Sequence, residues 1–251
     1  MKKILFYTAI VVIWELVYRL NVDVLGIWKS YSFPSPTSVA SSFINLIKDN
    51  TLLGAILYSL RRLIIGYAAS ILIGLGLGFM IYRFKFVGEA VRPLILGLQS
   101  LPSICWVPFA LLWFGLGEAS IIFIVAMGST FAVALSLADA VTNVTPIYVK
   151  AAKTMGVGKK DLFYKIMIPA GLPSIFSGLK QGWAFAWRAL ISGEMIASRE
   201  GLGYTLMVGR DFQDIGQVAA VMISIIIIGL LLDKVLFKRA ESELRIKWGL
   251  E

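Results

Sequence analysis

The side chains that ordinarily carry chemistry are sparse in this sequence of 251 residues, which contains no histidine and a single cysteine, Cys105. Neither metal binding through paired cysteines nor histidine-based acid/base catalysis has its usual residues. The stretch Gly156-Val157-Gly158-Lys159-Lys160-Asp161 suggests a phosphate loop at first sight. However, Lys153 stands where that loop needs its first glycine, and Lys160 fills the Ser/Thr position. It is not a phosphate loop, so any nucleotide hydrolysis belongs to another chain. What remains are charges inside apolar runs: Glu15, Lys180, Arg188 and Glu194. Ionisable groups so placed usually face a pathway or a partner. Lys180 and Arg188 could attract an anion; alternatively, a nearby carboxylate or carbonyl satisfies Arg188 locally. An intramembrane enzyme would draw its acids from Glu15, Asp139, Glu194 and Asp233, but no acid/base pair is evident, and Asp139 and Asp233 fall at run ends.

The elements that must position these groups are apolar. Hydrophobic residues make up 58% of the chain and the mean hydropathy is +0.81, beyond the roughly 45–50% apolar content of soluble domains. Runs at about 4–20, 63–82, 93–117, 119–138, 175–197 and 215–237 approach the ~20 residues that a spanning helix needs. The expectation is an all-α integral membrane protein with six spans in a single domain over residues 1–251. Lys2 and Lys3 before an apolar run also describe a secretory signal, but no small-residue cleavage site follows, which favours a retained anchor. Cys105 lies within a span and can form no intrachain disulfide.

The net charge of +9 raises nucleic-acid binding as a possibility, and the positions of the charges argue against it. With the N-terminus inside, fifteen Lys and Arg flank the spans on the cytoplasmic side, seven on the outer side, and two sit in the fifth span. This is the positive-inside asymmetry, and it puts both termini in the cytoplasm. Residues 238–251 then read as a charged cytoplasmic tail.

Local signals refine the outline. Ser35 suits an N-cap and Pro36 a first helical position, with Val39, Phe43, Leu46 and Ile47 on one face of a short interfacial helix. Small residues recur every four positions at Gly66, Ser70, Gly74 and Gly78, and again at Gly128, Ala132, Ser136 and Ala140, which predicts close helix packing. Pro102 and Pro108 should break the third span, and at membrane depth such a break survives only beside protein or a water-filled cavity. Gln99, Ser100, Ser103 and Trp106 at the break are pathway candidates. A helical wheel of the fifth span separates a small face (Ser174, Gly178, Gly182, Ala186, Ala189, Gly193, Ala197) from one carrying Lys180, Ala184, Trp187, Ile191 and Glu194. The second face is expected to meet a cavity or a partner, with Arg188 about 80° from Lys180 on the wheel.

Between the fourth and fifth spans, residues 143–170 form the longest inner loop, read as helix, glycine turn and helix ending at Pro169. Ala151, Ala152 and Met155 precede Gly156; Phe163, Ile166 and Met167 continue the apolar surface; lysines surround it. An apolar centre with a charged rim suits a docking site. Here the sequence resembles the permease subunits of binding-protein-dependent ABC importers. Their loop reads Glu-Ala-Ala, three residues, Gly, nine residues, Ile, one residue, Leu-Pro. Ala151, Ala152, Gly156, Ile166 and Pro169 keep that spacing, while Lys150 stands for the Glu and Ile168 for the Leu. The segments FPSPTSV, SLRRLIIGY, LPSICWVPFALLWFGLGE and GEMIASREGLGYTL extend the likeness to the nitrate, sulfonate and taurine branch.

The resemblance implies a type I importer permease fold in a prokaryotic inner membrane, with no enzymatic activity of its own. It further implies two ABC ATPase subunits that bind ATP and Mg, an external solute-binding protein, and a pair of permeases, here two copies of this chain. Lys150, Ala151, Ala152, Met155, Gly156, Val157, Lys159, Phe163, Ile166 and Pro169 would form the ATPase-coupling loop. Gln99, Ser100, Ser103, Trp106, Lys180, Trp187, Arg188 and Glu194 would line the pathway of a small solute, with nitrate, sulfonates and taurine among the anionic ones. An ATP-independent channel or carrier would leave the ordered hairpin without a purpose.

Overall fold

The computed structural model describes residues 2–29 and 31–238, so residues 239–251 of the charged tail lie outside the described residues. Every regular element described is helical. In order these are α1 (Lys2–Tyr18), α2 (Pro36–Lys48), α3 (Thr51–Arg83), α4 (Lys85–Ser100), α5 (Val107–Phe114), α6 (Glu118–Thr142), α7 (Pro146–Thr154), α8 (Lys159–Asp161), α9 (Ile168–Ala197), α10 (Leu202–Asp211) and α11 (Ile215–Asp233). Among the described residues, five helices are long and apolar enough to cross a membrane, or six when the bent pair α4 and α5 is taken as one broken span.

The core forms around α6, which is sandwiched between α3 and α9. The ridges of small residues do this work. A Cβ on Gly66 or Gly74 of α3 would stand 2.7–2.8 Å from Val125 or Val133 of α6, and one on Gly128 of α6 would stand 2.8 Å from Ala189 of α9. The tightest crossing is at Gly178, where a Cβ would fall inside the van der Waals envelope of Ser136. Backbones this close maximise dispersion contact, the main source of helix association in lipid.

Local chemistry sets the remaining elements. Ser35 caps α2 by accepting the Ser38 N–H at 3.0 Å, with Pro36 in the first turn. Val39 and Leu46 are buried against α3 and α11. Trp14 Nε1 donates to the Pro34 carbonyl at 2.9 Å and ties α1 to the start of α2; the rest of α1 lies largely open at the periphery.

Pro102 forces Leu101 into an extended conformation (φ −68°, ψ 130°), so α4 stops at Ser100 and the chain resumes as a short 3₁₀ turn at Ser103–Trp106 before α5. The two halves meet at 103°. Pro108 sits in the first turn of α5, where its missing N–H costs little. The break falls where the prolines predict, although the first half begins at Lys85, ahead of the expected 93.

Pro169 does not end the hairpin. A π-helical stretch at Leu162–Met167 widens the helix ahead of it and joins α8 to α9, so one helix runs over Lys159–Ala197. Ile168 N–H reaches back to Phe163, and this wider turn accommodates a residue that cannot donate.

Candidate functional site

The hairpin of α7 and α8 is built on a Schellman turn. Gly156 takes φ +75°, its N–H bonds the Lys153 carbonyl at 3.0 Å, and the Val157 N–H bonds that of Ala152 at 3.1 Å. Open space surrounds the missing Cβ of Gly156, so backbone conformation alone selects glycine there. Gly156→Ala is therefore expected to cost about 1–2 kcal/mol, measurable as a small drop in thermal stability with unchanged helix content.

The hairpin's faces differ from the expectation in one respect. Met155 is 82% exposed, and Ile147, Tyr148, Ala151 and Tyr164 are exposed with it, among Lys150, Lys153, Lys159, Lys160 and Lys165. Ala152 and Leu162 are buried and hold the two arms together. Phe163 and Met167, expected on the docking surface, turn instead toward α3. The Phe163 ring stacks on Tyr82 at 5.3 Å and meets Phe79 edge-on at 5.6 Å, and the Tyr82 hydroxyl donates to Met167 Sδ at 3.4 Å. These residues anchor the root of the hairpin because α3 extends far enough to meet them. Ile166 and Pro169 are half-buried at the same root, and Val157 is half-buried at the turn.

Near the hairpin end of the bundle, α6, α9 and α11 enclose an open groove of about 700 Å³. Ser136 and Asp139 contribute from α6, Ser174, Ser177, Lys180 and Gln181 from α9, and Asp233 from α11. Lys180 Nζ lies 3.9 Å from Asp233 Oδ2, and Arg92 of α4 pairs with Asp139. A polar stripe runs along α9 from this groove. Ser174, Ser177, Gln181, Ala184 and Arg188 are all exposed and fall within an arc of about 80° at 100° per residue. Arg188 Nε donates to the Ala184 carbonyl at 3.2 Å, and its guanidinium lies 4.8 Å from the centre of the Phe185 ring.

The broken helix abuts this region. A Cβ on Gly128 would meet Ser103 Cβ at 3.7 Å and the Phe185 carbonyl at 3.8 Å, so the break lies against the α9 turn that precedes Arg188. Gln99 is half-buried, with Oε1 enclosed and unbonded. Ser100 is exposed and donates to the Gly97 carbonyl. Trp106 packs among Phe109, Phe123 and Phe131.

The open face of α9 is thus rotated from the one read off the wheel. Trp187 packs over Gly229 of α11, Ile191 joins the cluster around Leu202, and Glu194 is fully buried. At the end opposite the hairpin, Glu194 closes a network with Ser59 and Arg62 of α3. Ser59 Oγ lies 2.8 and 2.9 Å from its two oxygens, Arg62 Nη1 donates at 3.1 Å, and the Gly203 N–H at the start of α10 donates at 3.0 Å. Arg62 Nη1 also reaches Ser198 Oγ and the Glu200 carbonyl. Glu194 is therefore spent on holding three elements together and has no open face. Arg62 escaped the sequence reading as one of several flanking charges. The signal was present: Arg62 continues the four-residue spacing of Gly66, Ser70, Gly74 and Gly78, and Ser59 lies one turn before it. The other intramembrane acids also face cations, since Glu15 bonds Arg19 at 2.7 Å.

Comparison with known proteins places this geometry in context. Residues 70–238 match the family described as binding-protein-dependent transport system inner membrane component. The chain is similar to a putative ABC transporter permease protein of Methanocaldococcus jannaschii, at 33% identity over 92% of this chain and 86% of that one. It is also similar to the putative aliphatic sulfonates transport permease protein of Bacillus subtilis, at 27% identity over 99% of this chain and 87% of the relative. Among solved structures, the inward-facing MetNI methionine ABC transporter has a chain of similar fold, with a TM-score of 0.65 at 17% identity, covering 77% of this chain and 96% of its own.

Proposed function

Because the chain belongs to the binding-protein-dependent transport system inner membrane components, in the branch that serves nitrate, sulfonates and taurine, we propose that its α9 stripe and groove form one wall of a solute passage and that its hairpin docks an ATPase. The chain is a multi-pass permease subunit of an ABC importer, a transport component and not an enzyme. ATP and Mg then bind in a separate ATPase chain, two copies of which serve one transporter.

The observation that carries this reading is the exposed polar stripe of α9. In a single chain in lipid, Ser177, Gln181 and Arg188 would face hydrocarbon, which penalises a charged residue at mid-span. A second copy of the same domain, formed by residues 1–251, covers the stripe and completes the conduit, with Ser103 and Gln99 near its wall. Orientation follows the charge asymmetry: the hairpin and both termini lie in the cytoplasm, and an external solute-binding protein meets the opposite end, where α2 and α10 lie. Nucleotide binding moves the docked hairpins, and the passage alternates between openings to either side through differential affinity for the two states. A small solute is carried, an aliphatic sulfonate among the candidates.

Met155 is more exposed than Ile147, Tyr148 and Tyr164 on the same hairpin, so Met155→Glu is expected to reduce ATPase recovery more than tenfold when the tagged chain is purified in mild detergent. Mass spectrometry of the co-purified subunits reads the result. Equal recovery from native and substituted chains would move the docking site elsewhere, whereas no soluble ATPase with the intact native chain would remove the ATP-driven reading.

A further inference from the structure

We propose that Arg188 makes the passage itself charge-selective, so that the membrane subunit favours small anions regardless of what is presented to it from outside. The inference rests on the α9 stripe being a passage wall and assigns the residue that discriminates there.

Charge accounting singles out Arg188. Among the described residues, the charges around the groove and the buried network are opposed: Arg62 by Glu194 and Glu200, Arg92 by Asp139 and Lys180 by Asp233, as Glu15 is by Arg19 in α1. These pairs cancel. Arg188 belongs to no ion pair among the described residues; its polar contact is the carbonyl of its own helix turn. Each chain therefore contributes one uncompensated positive charge to the stripe.

The position is fixed as well as charged. The bond to Ala184 and the ring of Phe185 hold the guanidinium against α9, which limits its freedom to swing toward a membrane surface. It is exposed, with Gln181 and Ala184 below it and the half-exposed Ser192 one turn above. A fixed cation in a narrow space with low-dielectric walls focuses its field along the passage and raises the local concentration of anions. In a pair of chains, two such groups act on the same solute.

The test needs no knowledge of the natural solute. The exposed Cys105 is replaced by alanine, and a reporter thiol is placed one turn from Arg188 by Ala184→Cys. The full chain in membrane vesicles, with its partner subunits, is treated with two methanethiosulfonates of similar size, one bearing a sulfonate and one a trimethylammonium group. Rates are normalised to a free thiol. The anionic reagent is expected to react about tenfold faster. Arg188→Gln should bring the ratio close to one, and Arg188→Lys, which keeps the charge, should preserve it and so separates loss of charge from loss of folding. A ratio unchanged by Arg188→Gln would overturn the assignment while leaving the passage in place. A thiol at 184 that reacts with neither reagent in the membrane but with both after denaturation would remove the passage reading and the inference together.

Discussion

Glu194→Ala is expected to destabilise the protein by about 3–5 kcal/mol, the range found when one partner of a buried ion pair is removed. The side chain of Arg62 is 7% exposed and that of Glu194 is 0% exposed, so the guanidinium left behind cannot recover its hydration, and its remaining carboxylate, that of Glu200, is a longer contact at 3.8 Å to an exposed side chain. Ser59 and the Gly203 N–H lose their acceptor at the same time. Thermal unfolding in mild detergent measures the loss. Glu194→Gln should be milder, because an amide oxygen still accepts from Gly203. The double change Arg62→Gln with Glu194→Gln should cost less than the sum of its parts, since the two residues share one network. An alanine variant that unfolds within about 1 kcal/mol of the native chain would mean that water reaches the pair and that the network contributes little.

The second large effect is expected at Gly178. Gly178→Ala drives a methyl group into Ser136 where α6 and α9 cross most closely, and should cost about 3 kcal/mol, the upper part of the usual range for overpacking. The remedy is specific. Ser136→Gly removes the two atoms that the new Cβ would clash with, leaves the Cα of that residue in ordinary contact at 3.4 Å, and should restore most of the stability when combined with Gly178→Ala. Failure of that rescue would place the strain elsewhere on the helix pair. The crossing also lines the groove, so partial unfolding midpoints should be read together with reactivity of a thiol at Ser177.

Much of the architecture is legible in the sequence because its causes are local. A bilayer demands about twenty apolar residues in a row, Ser35 and Pro36 announce a helix start within three positions, and Pro102 acts on its immediate neighbour. The four-residue ridges of α3 and α6 likewise state that something must approach closely. They do not state what. Glu194 and Arg62 lie 132 positions apart, and their pairing depends on α9 packing beside the start of the apolar run in α3. At the other end of α3, Phe79 and Tyr82 lie inside the predicted run, yet nothing local says that they capture Phe163 and take it off the expected docking face.

The orientation of α9 shows the limit most clearly. A wheel separates faces by residue type, but which face stays open depends on the neighbours. Trp187 and Ile191 pack into α11 and the cluster around Leu202, so the face one quarter-turn away, with Gln181 and Arg188, is left bare. Arg188 attracted notice by its charge alone. Its lack of an acidic partner among the described residues emerges only when Lys180, Arg92 and Arg62 are each seen with theirs.

The helix that runs from Lys159 to Ala197 is 39 residues long, about 58 Å at 1.5 Å per residue. Met155 lies four residues before its start and Glu194 within its last turn. If the hairpin docks a partner as proposed, a force applied there enters one continuous helix, interrupted by the wide turn and by Pro173, that ends in the network opposite. The wide turn at Leu162–Met167 and Pro173 are where that helix departs from regular α-helical bonding. A displacement that bends the helix at either place would be taken up near the hairpin, and one that leaves it straight would reach Arg62 as a lever stroke.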